Sequence, residues 1–149
     1  MYGEESDFNM KNKLRPELSE KNQYWISKHR YYELKHFCLQ YPTWKKAYAA
    51  IDEMAIYSPE LGRVISISNL PNDPTGRCAT VKAHYAERMQ MVEQAAIQAD
   101  SELYPYIIKA VTEDLSFNYL KTRLDIPCGK DLYYGRYRKF FWYLSKLRD

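Results

Sequence analysis

Catalysis needs ionisable side chains brought together, and this sequence offers few such sets. Asp52-Glu53 and Glu113-Asp114 are adjacent pairs. Neighbouring positions on a helix point to different sides, so neither pair shares a site by itself. His29 and His36 lie seven apart on one expected helix with no third ligand in view, and His84 has no nucleophile beside it. Cys38, Cys78 and Cys128 are odd in number, far apart and without a C-x-x-C pair. That argues against a disulfide framework and against zinc, and reads as three reduced, packed thiols. No glycine-rich phosphate loop is present. The reading is a protein without catalytic activity, metal or cofactor.

Binding chemistry is concentrated near the C-terminus. A helix from Lys130 to about Leu147 places Tyr133, Tyr137, Phe140, Leu144 and Leu147 on one arc, with Phe141 at its edge. These are its expected core contacts. A second arc carries Asp131, Tyr134, Gly135, Arg138, Lys139 and Trp142. With Lys130 at the helix start, these are the residues expected to meet DNA. Arg138 suits guanine edges or phosphate, and Lys139 and Tyr134 suit phosphate. Gly135 costs about 1 kcal/mol of helix propensity and would let a DNA backbone come close.

The elements that must position this helix are also marked. Ser116 can cap a short helix, Phe117 to Leu124, and Asp125-Ile126-Pro127-Cys128-Gly129 forms a compact turn in which Ile126 packs inward. Ser101 can cap a preceding helix through about Glu113. Helix, short helix, turn and longer helix is the plan of a helix-turn-helix DNA-binding unit. We therefore expect an all-α fold, with an N-terminal helical region followed by a C-terminal helix-turn-helix. The expected divisions are a mobile arm at 1–20, a helical region at 21–99 with a loop at 58–76, and the DNA-binding unit at 100–149. Within the middle region Trp25, His29, Tyr32, His36 and Leu39 recur as one helical face. Tyr41-Pro42 ends that helix. Thr43 can cap a second one with Trp44, Ala47, Tyr48, Ile51 and Ala55 inward, and a third runs from about Thr75 to Ala99. The VISIS run at 64–68 has no partner strand in view and reads as loop.

Charge supports contact with a polyanion at particular surfaces. The net charge is only +3, but residues 11–46 hold nine Lys/Arg against three acids, and residues 119–149 hold eight against three. Residues 47–118 are acidic, with five bases against ten acids. Two basic ends flanking an acidic middle fit local rather than global attraction. Lys11, Lys13 and Arg15 place part of the basic charge on the arm. Hydrophobic residues make up 46% of the chain, enough for a core, yet no run reaches the ~18 apolar residues of a membrane span. The polar start lacks the apolar core of a signal peptide. The expected location is the cytoplasm, with no membrane contact.

Asn118-Tyr119-Leu120 and the run from Ile126-Pro127-Cys128-Gly129-Lys130 through Tyr133-Tyr134 to Arg138-Lys139-Phe140-Phe141 resemble the end of the RinA/ArpU-type phage transcriptional regulators. The resemblance covers about 35 of the 149 residues, with looser agreement over 73–117. It implies a sigma-like helix-turn-helix in a phage or prophage protein that regulates transcription. Two features depart from the family: Gly129 stands where Ser or Thr is commoner as N-cap, and the Tyr- and Trp-rich N-terminal half has no counterpart. The leading expectation is a dimeric regulator of double-stranded DNA, since one recognition helix buries little surface. Two alternatives stay open. One is a phage-encoded module that binds or inhibits host RNA polymerase or another host nucleoprotein. The other is a small terminase-type packaging subunit, although its DNA-binding unit would be N-terminal.

Overall fold

The computed structural model of the chain describes residues 21–57 and 74–149. Among these residues the fold is all-α, with six helices and no strand. They are α1 (Lys28–Leu39), α2 (Tyr41–Tyr57), α3 (Pro74–Ala99), α4 (Tyr104–Glu113), α5 (Phe117–Arg123) and α6 (Lys130–Leu147). No helix among the described residues is long and apolar enough to cross a membrane. The expected arm at 1–20, the VISIS run and most of the 58–76 loop lie outside the described residues. Pro74 opens α3, where a missing N–H costs nothing.

The contacts group the chain into two compact units. One holds α1, the end of α3 from Met91, and α4 to α6; the other is Gln40–Gln90. This grouping cuts across the division at residue 100 expected from sequence. The reason is α1, which packs on α4 and α6. Its buried residues are Tyr31, Leu34, Phe37 and Cys38. The face marked in sequence by Trp25, His29, Tyr32, His36 and Leu39 is not the buried one: Trp25 precedes the helix, and His29 and His36 are exposed. Ser27 sets the start of α1, its hydroxyl accepting from the Arg30 N–H at 3.3 Å.

The core of this unit joins that α1 face to Val92, Ala95, Ala96 and Ala99 of α3 and to Leu103, Ile107, Ala110 and Val111 around α4. Leu120, Ile126, Tyr133, Tyr137, Phe140, Phe141 and Leu144 complete it. The inner arc expected for α6 is thus the buried one, except that Leu147 is only half-buried. Arg30 ties α1 to the end of α6, donating to the Ser145 hydroxyl at 3.1 Å, the Ser145 carbonyl at 3.0 Å and Asp149 at 3.0 Å.

In the other unit Trp44 and Ile51 of α2 are buried and Ala47 and Tyr48 half-buried, as their spacing implies. α2 begins at Tyr41 rather than after Thr43, with Pro42 inside its first turn.

Candidate nucleic-acid interface

The short helix α5 is held at both ends. The Ser116 hydroxyl accepts from the Tyr119 N–H at 3.2 Å. At the other end the chain reverses through Asp125 with φ 53°, a left-handed conformation that Asp tolerates. The Ile126 N–H returns to the Leu120 carbonyl at 3.1 Å, and Ile126 and Leu120 are fully buried. Lys121 closes the turn, its ammonium donating to the carbonyls of Ile126 at 3.2 Å and Cys128 at 3.4 Å. Ser116 and Ile126 are legible in sequence; the role of Lys121 is not, since a surface lysine four residues before a turn has no distinctive pattern.

α6 then starts at Lys130 behind Gly129, whose extended backbone caps the helix without a side-chain bond. Asp131 in the first turn suits the positive end of the helix dipole. Phe117 of α5 lies 5.4 Å from the Tyr133 ring and 6.4 Å from the Tyr134 ring, fixing the two helices to each other.

Preceding them, the expected cap by Ser101 is not made: α4 begins behind Leu103 without a side-chain cap, and Asp100 instead caps the turn at 101–103 that leads into it. Its carboxylate accepts from the N–H groups of Glu102 at 2.8 Å and Leu103 at 2.9 Å, and from the Arg136 guanidinium at 3.0 Å. Burial opposes its ionisation, but these three donors outweigh it and hold the carboxyl below its usual range. Arg136 thereby fixes α6 to the end of α3.

The seven residues expected to face DNA divide into three groups. Lys130 and Asp131 are exposed, and Tyr134 and Gly135 half-exposed, at the start of α6. A Cβ added at Gly135 would meet no atom within 4 Å, so nothing in the protein's own packing requires glycine there. Arg138 corrects the expectation: it is 9% exposed, buried rather than presented to a groove. On the helical wheel it lies about 140° from the core arc, so its enclosure comes from tertiary packing that the period of the helix does not report. Lys139 and Trp142 do lie on the outer face, but residues 21–27 cross there. Tyr24 sits edge-on to Trp142 at 5.4 Å, and the Lys139 ammonium lies 5.7 Å from the Tyr24 ring centre.

Thiol chemistry has little footing. Burial pushes the thiols of Cys38 and Cys128 up, the opposite of what a thiolate nucleophile requires. Among the described residues no group of three His, Cys, Asp or Glu is placed to hold a metal.

No family model, curated protein or solved structure matches the chain.

Proposed function

We propose that the protein is a sequence-specific, non-catalytic regulator that binds double-stranded DNA and reads the major groove with the first turns of α6. The observation that carries this reading is the exposed start of α6 behind a firmly built turn. Lys130 stands at its tip, Asp131 and Tyr134 follow, and Gly135, half-exposed, has open space where a side chain would begin. Ser116, Lys121 and Ile126 give that helix end the rigidity that positioning against bases demands. Arg138 is removed from the contact set by its burial. The phage or prophage origin and the role in transcription rest on the resemblance of about 35 residues near the C-terminus. A homodimer reading two half-sites supplies the surface that one helix lacks.

Selection of bound sequences from random duplex DNA tests this reading. The expected result is one enriched motif with related half-sites, bound with a steep salt dependence as Lys and Arg displace counterions. No enrichment, together with no duplex binding at low salt, overturns it.

A protein-binding module is favoured by a separate observation. Tyr119 of α5 and Leu132 of α6 are large apolar side chains left 42% and 46% exposed. Capture of host RNA polymerase or another nucleoprotein that Leu132→Ala abolishes, without duplex binding, would establish this second reading.

A further inference from the structure

The C-terminal half of α6 carries a cluster that the start of the helix does not need. The Lys139 ammonium lies 5.7 Å from the Tyr24 ring centre and 6.0 Å from that of Tyr143. The Lys146 ammonium lies 5.1 Å from the Trp142 ring centre, and Tyr24 meets Trp142 edge-on at 5.4 Å. Among the described residues neither lysine makes an ion pair. Aromatic faces thus hold two ammonium groups in place without neutralising them, as a carboxylate would. Lys139 and Lys146 are two helical turns apart, a rise of about 10 Å, and share the face of Gly135. Tyr24 is itself set by Asn22, whose side chain accepts from the Tyr24 N–H at 2.8 Å while its carbonyl accepts from the Trp25 N–H at 3.0 Å.

We propose that this cluster, completed by Tyr24, is a phosphate-backbone clamp that grips the DNA strand beside the groove read by the start of α6. The proposal rests on the duplex-binding reading and divides the helix by task. The first turns face bases, while Lys139 and Lys146 hold phosphates without sequence information. A lysine suits that task, being a compact charge rather than a planar reader of base edges. Tyr24 is a positioning residue, keeping Lys139 and Trp142 on the outward face. Lys139 and Trp142 therefore belong to the interface as backbone contacts and their holder.

Affinity is measured from 50 to 200 mM salt on a selected duplex and on a scrambled one, for wild type and four variants. Lys139→Ala/Lys146→Ala should weaken both duplexes alike. Each phosphate contact contributes about 0.9 to the salt slope, so the slope should flatten by nearly two, and the affinity lost across this range should shrink about tenfold. Lys139→Arg/Lys146→Arg should keep the slope. Tyr24→Ala should weaken both duplexes, and Tyr24→Phe should not. Melting temperature monitors folding, and Lys139→Gln/Lys146→Gln, which keep their stems over the rings, replace the alanine pair if that pair is unstable. An unchanged slope without the two charges, or unchanged affinity in Tyr24→Ala, overturns the clamp while leaving the duplex-binding reading intact. Wild type that binds neither duplex overturns both.

Discussion

The hydroxyls of Tyr31 and Tyr137 lie 2.7 Å apart inside the core, a polar bond joining α1 to α6 where both rings are otherwise packed among aromatics. Each residue is almost completely buried. Removing the Tyr31 hydroxyl takes this bond from the buried Tyr137 hydroxyl, at a cost of about 1–3 kcal/mol, whereas removing both can be nearly neutral. Tyr31→Phe should therefore destabilise the protein more than Tyr31→Phe/Tyr137→Phe does. Tyr137→Ala, which empties the ring site as well, should cost roughly 3–5 kcal/mol. Denaturant melts of these three variants and of Tyr137→Phe, which closes the cycle, check this. Strictly additive Phe substitutions would mean that the two hydroxyls are not coupled.

The same burial dictates an alkaline limit. Desolvation pushes the hydroxyls of Tyr31, Tyr133 and Tyr137 above their ordinary value near 10. A group whose folded-state pKa is raised holds its proton in the folded chain after the unfolded chain has lost it. Its contribution is intact below pH 10 and falls as pH rises beyond that. Each such tyrosine removes about 1.4 kcal/mol per pH unit, so three act together steeply. Unfolding above pH 10 should be cooperative and coincide with the tyrosinate absorbance of the buried rings. Ionisation of all tyrosines before any loss of helix signal would contradict this.

On the acid side the sensitive group is Asp100. Its carboxyl is held below the usual range, so its contribution is present above that range and lost as pH falls through the depressed value. Asp100→Asn keeps an acceptor for the Glu102 and Leu103 N–H groups but gives up the charge facing Arg136. It should flatten the acid limb of stability against pH by lowering stability at neutrality toward the value that wild type reaches in acid. Asp100→Ala removes the cap as well and should cost about 0.5–2 kcal/mol at neutral pH. Melting temperatures from pH 3 to 7 separate the two substitutions (a range bracketing ordinary carboxylate titration at about 4).

What the sequence made legible is what depends on local period and local caps. Tyr133, Tyr137, Phe140 and Leu144 announce the buried arc of α6 by spacing alone, and Ser116 and Ile126 mark the cap and turn before it. The buried face of α1 was obscured because Trp25 extended a seemingly helical pattern backward beyond Ser27, where the helix begins. Tyr31, Leu34 and Cys38 hold an equally regular spacing on another face. Periodicity cannot rank two such faces when both carry rings. The pairing of α1 with α4 and α6 spans most of the chain and has no local signature. Tyr24 over Trp142 and the burial of Arg138 are likewise tertiary events. They reshape the candidate site most, because a helical wheel treats each outward position as open.

Arg138 is therefore expected to act through stability. Its exposure of 9% means that Arg138→Ala removes a packed stem and a charged head together. A loss on the order of 1–3 kcal/mol follows, since hydrogen bonds to charged groups are worth about that much. Truncating an exposed contact would instead stay within about 0.5 kcal/mol. A fall in melting temperature is the expected outcome. If Arg138→Ala melts like wild type and loses only DNA affinity, the side chain is presented to DNA and its enclosure is not maintained.

Gly135 gives the sharpest test of close approach on α6. It is helical, has open space where a side chain would begin, and needs no left-handed backbone. By propensity alone Gly135→Ala should stabilise the protein by about 0.4–1 kcal/mol, because alanine loses less backbone freedom on folding. Nothing in the fold opposes that gain. If the start of α6 enters a groove, the added methyl meets the DNA and separates stability from binding. Melting temperature should rise while affinity for the selected duplex falls, and Gly135→Leu should lower affinity further. Lys130→Ala serves as the comparison, with little effect on melting and weaker binding. A Gly135→Ala variant that is more stable and binds as tightly as wild type would show that DNA does not approach this face. The start of α6 would then lose its place as the reading edge.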